Sequence, residues 1–175
     1  PAGFAVDTRR VYATLPDLSV DFADATETYK AARYWLSGTP RMNSLTVWGT
    51  ADADATWTAT LNKARNAFWW FYSFFTAPVY LTVADATEVA VWCNDNESWF
   101  QNCQTGVNAT AIRDPNLTTD IATAFTTSGY RYAATLAHAT DPYAGIKLCV
   151  PFAKVNYSAT NSTITGEGKV LSGVA

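Results

Sequence analysis

Phe68-Trp69-Trp70-Phe71-Tyr72-Ser73-Phe74-Phe75 is a run of rings broken by one small polar residue, with no polar alternation. Such a segment offers water no face, so it reads as a strand buried on both sides at the middle of a sheet. Burying five or six of these side chains is worth roughly 10 to 15 kcal/mol gross, at about 1.5 to 3 kcal/mol each, before conformational entropy takes most of it back. The rest of the chain can cover it: of 175 residues, 49% are apolar, 14% aromatic and 15% charged, and seven are Trp. That composition and length suit one folded domain over 1–175, with part of the aromatic load left for an interface.

On either side of the ring-rich run, short apolar stretches alternate with longer amphipathic ones, the signature of strands and helices taking turns. Leu18 to Phe22 reads as a strand, after a linker or edge segment over 1–17. Asp24 to Leu36 reads as a helix with Tyr29, Ala32 and Leu36 inward, stopped by Gly38 and Pro40. Ser44 to Gly49 is the next strand. A helix from about Asp54 to Asn66 follows, its first turn capped by Asp52 or Asp54 and its face made by Trp57, Leu61 and Ala64.

Beyond the aromatic run, Asp85 to Asn94 predicts a helix and Trp99 to Cys103 a strand. Asn116 to Thr127 predicts one further helix between Pro115 and Gly129, and Tyr130 to Leu136 another strand. A last helix opens at Asp141-Pro142 and should end early at Pro151; Ile164 to Leu171 is a weak closing strand. The whole predicts an α/β three-layer sandwich around a mainly parallel central sheet of about five or six strands.

Several function classes find little support. Twelve Lys and Arg against fifteen Asp and Glu give a net charge of −3, without a basic run to follow a phosphate backbone, so nucleic acid is not an expected partner. The most apolar stretch, Ala67 to Val83, is short for a bilayer and holds Pro78, and reads as buried protein with no direct membrane insertion. The loop Thr50-Ala51-Asp52-Ala53-Asp54 lacks the glycines of a dinucleotide fingerprint and the Lys of a phosphate loop. Asp52 and Asp54 suit helix capping better than a metal, and Asp95, Glu97 and Asp114 read as solvated turns.

His138 is the only histidine, so any general-base scheme must use it, with Ser128 or Cys103 as nucleophile; no elbow motif surrounds either. A loop histidine, or one packed near Tyr143, is the plainer reading. Cys93, Cys103 and Cys149 form no CxxC pair and read as reduced core thiols. Arg9-Arg10 and Lys30 with Arg33 suit either solvation or acidic patches on a neighbouring subunit. No catalytic, cofactor or metal residue is assigned. There is no signal peptide at Pro1-Ala2-Gly3-Phe4, and the absent starting Met, with an end on Leu171-Ser172-Gly173-Val174-Ala175, reads as a piece of a longer chain.

Tyr29-Lys30-Ala31-Ala32-Arg33-Tyr34-Trp35-Leu36-Ser37-Gly38-Thr39-Pro40 leading to Leu45-Thr46-Val47-Trp48-Gly49, then Ala84 to Trp92, Gly129-Tyr130-Arg131-Tyr132 and Asn161-Ser162-Thr163-Ile164-Thr165 through Leu171-Ser172-Gly173-Val174, follow an ordered pattern. In that order, with the aromatic run between, the segments resemble the contractile bacteriophage tail-sheath-like family, over most of the chain from about Val20. Ser172 stands where that family usually has Pro, and Gly166-Glu167-Gly168 replaces an apolar pair. The resemblance implies the central domain of a virion structural protein, a subunit polymerising helically around a tail tube and contracting to drive it through the host envelope. Its implied partners are itself, the tail tube protein, and the baseplate and tail terminator proteins. Its implied place is the virion tail, after assembly in the bacterial host cytoplasm. Two alternatives remain open: an α/β-fold enzyme or nucleotide-binding domain with a pocket at the strand ends containing His138, and a secreted binding module. The latter would use the Asn triplets at Asn96, Asn108, Asn116, Asn156 and Asn161 or a Cys93–Cys103 disulfide.

Overall fold

Threonine hydroxyls open most of the helices. In the computed structural model, which describes residues 4–37, 41–68, 71, 73–76 and 81–154, Thr14 accepts from the Asp17 amide at the start of α1 (Leu15–Ser19) and Thr26 from Tyr29 at the start of α2 (Glu27–Leu36). Thr56 does the same for α3 (Trp57–Ala67) through Ala59, and Thr82 for α4 (Val83–Asn96) through Asp85. Each hydroxyl satisfies an amide that the first turn leaves without an intrahelical partner. Glu88 on α4 adds a second acceptor for α3, taking the Thr58 amide at 2.8 Å.

These caps revise three expectations. Leu18 to Phe22 is not a strand: Thr14 and Pro16 start a short helix that buries Leu18 completely. The helix expected from Asp24 begins at Glu27, because Thr26 holds its first turn. Neither Asp52 nor Asp54 caps α3; Asp54 instead bonds the Lys63 ammonium at 2.5 Å, which also meets Asp7 at 3.0 Å.

The expected single sheet of five or six strands is not what forms. The described residues hold a two-stranded antiparallel ribbon, β1 (Arg9–Tyr12) with β2 (Leu45–Trp48), and a separate three-stranded parallel sheet in the order β3 (Ser73–Phe74), β4 (Trp99–Gln104), β5 (Ala133–Ala137). The aromatic run accounts for much of the difference. Among its described residues, Ser73 and Phe74 alone join a ladder, against Trp99 and Phe100 at the edge of the parallel sheet, and the central strand is β4. The Phe71 carbonyl accepts from the buried Ser98 hydroxyl rather than from a strand. Trp69, Trp70 and Tyr72 lie outside the described residues. The rings that are described cluster with one another: Phe71 stacks on Trp92 with centroids 5.7 Å apart, and Phe74 stacks on Phe100 at 5.5 Å.

Three corrections remain along the chain. The helix expected over Asn116 to Thr127 begins only at Ile121, as α6 (Ile121–Ser128), and a helix that was not expected, α5 (Gly106–Arg113), precedes it. Asp114 folds the intervening turn by accepting the Asn116 amide, and Asp120 starts α6 by taking the amides of Ala122 and Thr123 at 2.9 and 3.0 Å. Gly129, at φ 68°, closes α6 in the left-handed conformation. The strand expected from Tyr130 begins at Ala133. The last helix, α7 (Ala144–Ala153), runs through Pro151 instead of stopping there; the closing strand expected at Ile164 to Leu171 falls outside the described residues.

The parallel sheet is covered on both faces. Phe100 packs with Val89, Ala90 and Cys93 of α4 and with Ile121 and Phe125 of α6. On the other face Gly145 of α7 brings its backbone against Cys103 and Asn102, so close that an added Cβ would sit 3.1 Å from the Cys103 Cβ. Behind α7, Tyr143, Ile146 and Val150 pack on Ala31, Trp35 and Leu36 of α2. The ribbon sits on α1 and α2 through Tyr12, Leu18, Phe22 and Ala32.

Candidate functional site

Parallel strands present their carboxyl ends as the usual place for a ligand, and here that end is built from amides. Gln101, Asn102 and Gln104 are all buried on the central strand. Gln104 Nε2 donates to the Leu81 carbonyl at 3.0 Å and to Asn102 Oδ1 at 2.8 Å, and Asn108 Nδ2 donates to Gln104 Oε1 at 3.0 Å. The Thr135 hydroxyl reaches Asn102 Oδ1 from β5 at 3.3 Å, and Gln101 Nε2 donates to the Asn102 carbonyl at 2.9 Å. These neutral amides bond to one another and to backbone, with Asn102 Nδ2 left without a partner among the described residues, and they neither take nor give a proton near neutral pH.

His138 lies just beyond this lattice. Its amide donates to the Gln104 carbonyl, and its Nδ1 accepts the amides of Thr140 and Asp141 at 3.3 and 2.9 Å. Those two bonds use the ring to shape the turn into α7. Cys103, on the α7 face, donates to the Asp141 carbonyl, and burial raises its thiol pKa above the usual value. A buried thiol of that kind is a poor nucleophile. Ser128 is exposed at the end of α6.

The other singled-out residues are dispersed. Asp52 and Glu97 are exposed in turns, Asp95 is exposed in the last turn of α4 rather than in a turn beyond it, and the described residues contain no group of three or more His, Cys, Asp or Glu able to hold a metal ion. Arg9 lies over the Phe68 ring at 5.0 Å, Arg10 pairs with Asp21, Lys30 pairs with Glu27 at 3.0 Å, and Arg33 sits over Tyr34 at 6.0 Å. All three cysteines are free and buried; Cys93 packs on the Phe100 face of the sheet and Cys103 on the opposite face, which rules out the disulfide considered between them.

The surface has features of its own. Neither strand of the β1–β2 ribbon has a second strand neighbour among the described residues. Val6, Val11 and Val20, at 56, 60 and 83% exposure, lie on the segment that runs from before β1 to the end of α1. Sequence reading missed these valines because Val6 and Val11 fell in the stretch read as a linker or edge segment and Val20 in a stretch read as a strand. It missed the amide lattice because Gln101, Asn102 and Gln104 look like surface residues until the strand is placed at the centre. No protein-family model matches the chain, and no curated protein or solved structure matches it.

Proposed function

We propose that this chain is a non-catalytic structural subunit that polymerises head to tail, of the kind that forms the contractile sheath of a phage tail. The observation that carries the reading is a ribbon whose two strands have no further strand neighbour among the described residues. If the β1 edge of one copy meets the β2 edge of the next, the contact is heterologous; repeated without closure it generates a helix. The exposed valines along β1 and α1 add apolar area to such a contact. The ordered segments from Tyr29 to Gly49, Ala84 to Trp92 and Gly129 to Tyr132 support the sheath type within that class.

In this reading the work of contraction comes from repacked contacts between subunits. The domain moves as a nearly rigid body, since a core stitched by ring pairs and buried amides resists gradual deformation. The partners are further copies, the tail tube protein, and the baseplate and tail terminator proteins; the place is the virion tail. An enzyme at the strand ends would have to work with amides, a histidine whose Nδ1 is held by backbone and a buried thiol. Sedimentation velocity over a rising concentration series tests the proposal. The account expects reversible association that Val11→Asp weakens without loss of far-ultraviolet dichroism; a wild-type chain that stays monomeric throughout overturns it.

A further inference from the structure

Between the ribbon, α2, α3 and the aromatic segment lies a partly open cleft of about 700 Å³. That volume is in the range of small-molecule sites. Among the described residues its walls are mostly rings and aliphatic side chains, such as Trp35, Trp57, Phe71 and Phe74, and the one titratable side chain of that lining, Asp52, is exposed.

Three buried polar atoms of these lining residues have no hydrogen-bond partner among the described residues: Trp48 Nε1, Thr60 Oγ1 and Thr76 Oγ1. Thr60 is 3% exposed and Thr76 7%. Elsewhere the same chemical groups are satisfied. The indole nitrogens of Trp35 and Trp92 donate to the Ser44 carbonyl at 2.9 Å and to Asn62 Oδ1 at 2.8 Å. The helical threonines Thr87, Thr110 and Thr126 each donate to the carbonyl one turn back, which Thr60 in α3 does not do. Buried polar groups left unpaired are costly and uncommon, and three along one cleft call for a common explanation.

We infer that the cleft binds a neutral, ring-containing small molecule that carries a hydrogen-bond acceptor such as a carbonyl. The indole N–H can only donate, so it requires an acceptor, and the two hydroxyls can donate to the same molecule. The ring walls supply stacking surface, and their lack of charge disfavours an ionic ligand. The cleft is lined by every residue of β2 and by none of β1, so it lies along a strand that the assembly proposal also uses, and competition between prodan and self-association tells the two apart.

The test is a fluorescence titration of the 175-residue chain with prodan, a flat neutral naphthyl ketone whose emission shifts to the blue away from water. The expected result is saturable one-to-one binding with a blue shift, weakened about three- to tenfold by Trp48→Phe and by Thr60→Val, the range expected for one hydrogen bond. Thr76→Val serves as a second hydroxyl deletion should either of the others disturb the far-ultraviolet dichroism. The parent dimethylaminonaphthalene, which lacks the ketone, should bind more weakly and with equal affinity to wild type and variants. Absence of saturable binding, or equal prodan affinity in all the folded variants, overturns the inference. So does displacement of prodan in step with self-association, which would assign the cleft to a second copy.

Discussion

The Tyr143 hydroxyl donates a hydrogen bond to the Glu27 carboxylate, joining residues 116 positions apart at the start of α2 and the approach to α7. Glu27 also pairs with Lys30, and the two bonds, Tyr143's foremost, hold its pKa below the ordinary glutamate value. The Tyr143 ring is 8% exposed and packs on Tyr34 with centroids 5.4 Å apart, so the bond fastens the layer behind the parallel sheet.

Tyr143→Phe keeps the ring and removes the donor. The Glu27 side chain is 44% exposed, so the expected loss at neutral pH is about 1 kcal/mol, toward the low end for a hydrogen bond to a charged group. A carboxylate with a depressed folded pKa contributes stability above its unfolded pKa and loses it as pH falls through the folded value. The gap between wild type and variant in urea denaturation should therefore be full at pH 7 and shrink below about pH 4.

Asp120→Ala removes the acceptor for two amides at the start of α6. The expected cost is about 1 to 2 kcal/mol, with Asp120→Asn losing less, read as a shift in denaturation midpoint at unchanged slope. Burial pushes the Asp120 carboxyl up, but bonds from the Thr123 side chain and from backbone amides outweigh it and leave the pKa low. The stabilisation should again fade in acid.

Gly49→Ala probes the seat of the N-terminal segment on the ribbon. A Cβ there would lie 2.5 Å from the Ala5 carbonyl oxygen and 2.8 Å from the Phe4 ring. The backbone cannot yield that much in place, because Gly49 exchanges hydrogen bonds with Asp7 and Thr8. The substitution should cost about 1 to 3 kcal/mol and expose the amide of Asp7 to hydrogen exchange.

The three thiols should be silent in the native protein. Burial pushes Cys149 up to about 12 and Cys93 further, and both sit in packed clusters. A thiol reagent at pH 8 should modify them only at the rate of unfolding, and all three promptly in denaturant. Prompt modification of the folded chain would contradict the packing described.

The strand at Trp99, the strand at Leu45 and the helix containing Val89 and Trp92 were legible because their flanks carry ordinary boundary signals. The aromatic run was not: with rings at nearly every position, hydrophobic periodicity cannot distinguish a ladder strand from rings packing on rings. Helix starts were misplaced because the chain offers Asp as well as Thr near most of them, and only tertiary contacts such as Glu88 on Thr58 decide which residue caps. The cleft was invisible for a different reason. Trp48 lies on β2, Thr60 on α3 and Thr76 just after β3, and nothing local marks a hydroxyl whose partner is missing.

Assembly is the claim on which the functional account depends. Electron microscopy of the concentrated protein tests it most directly: the account predicts regular tubes of constant diameter, built by one repeated head-to-tail contact. Particles of single-subunit size at every concentration, or closed dimers with the ribbon edges buried against each other, would contradict it.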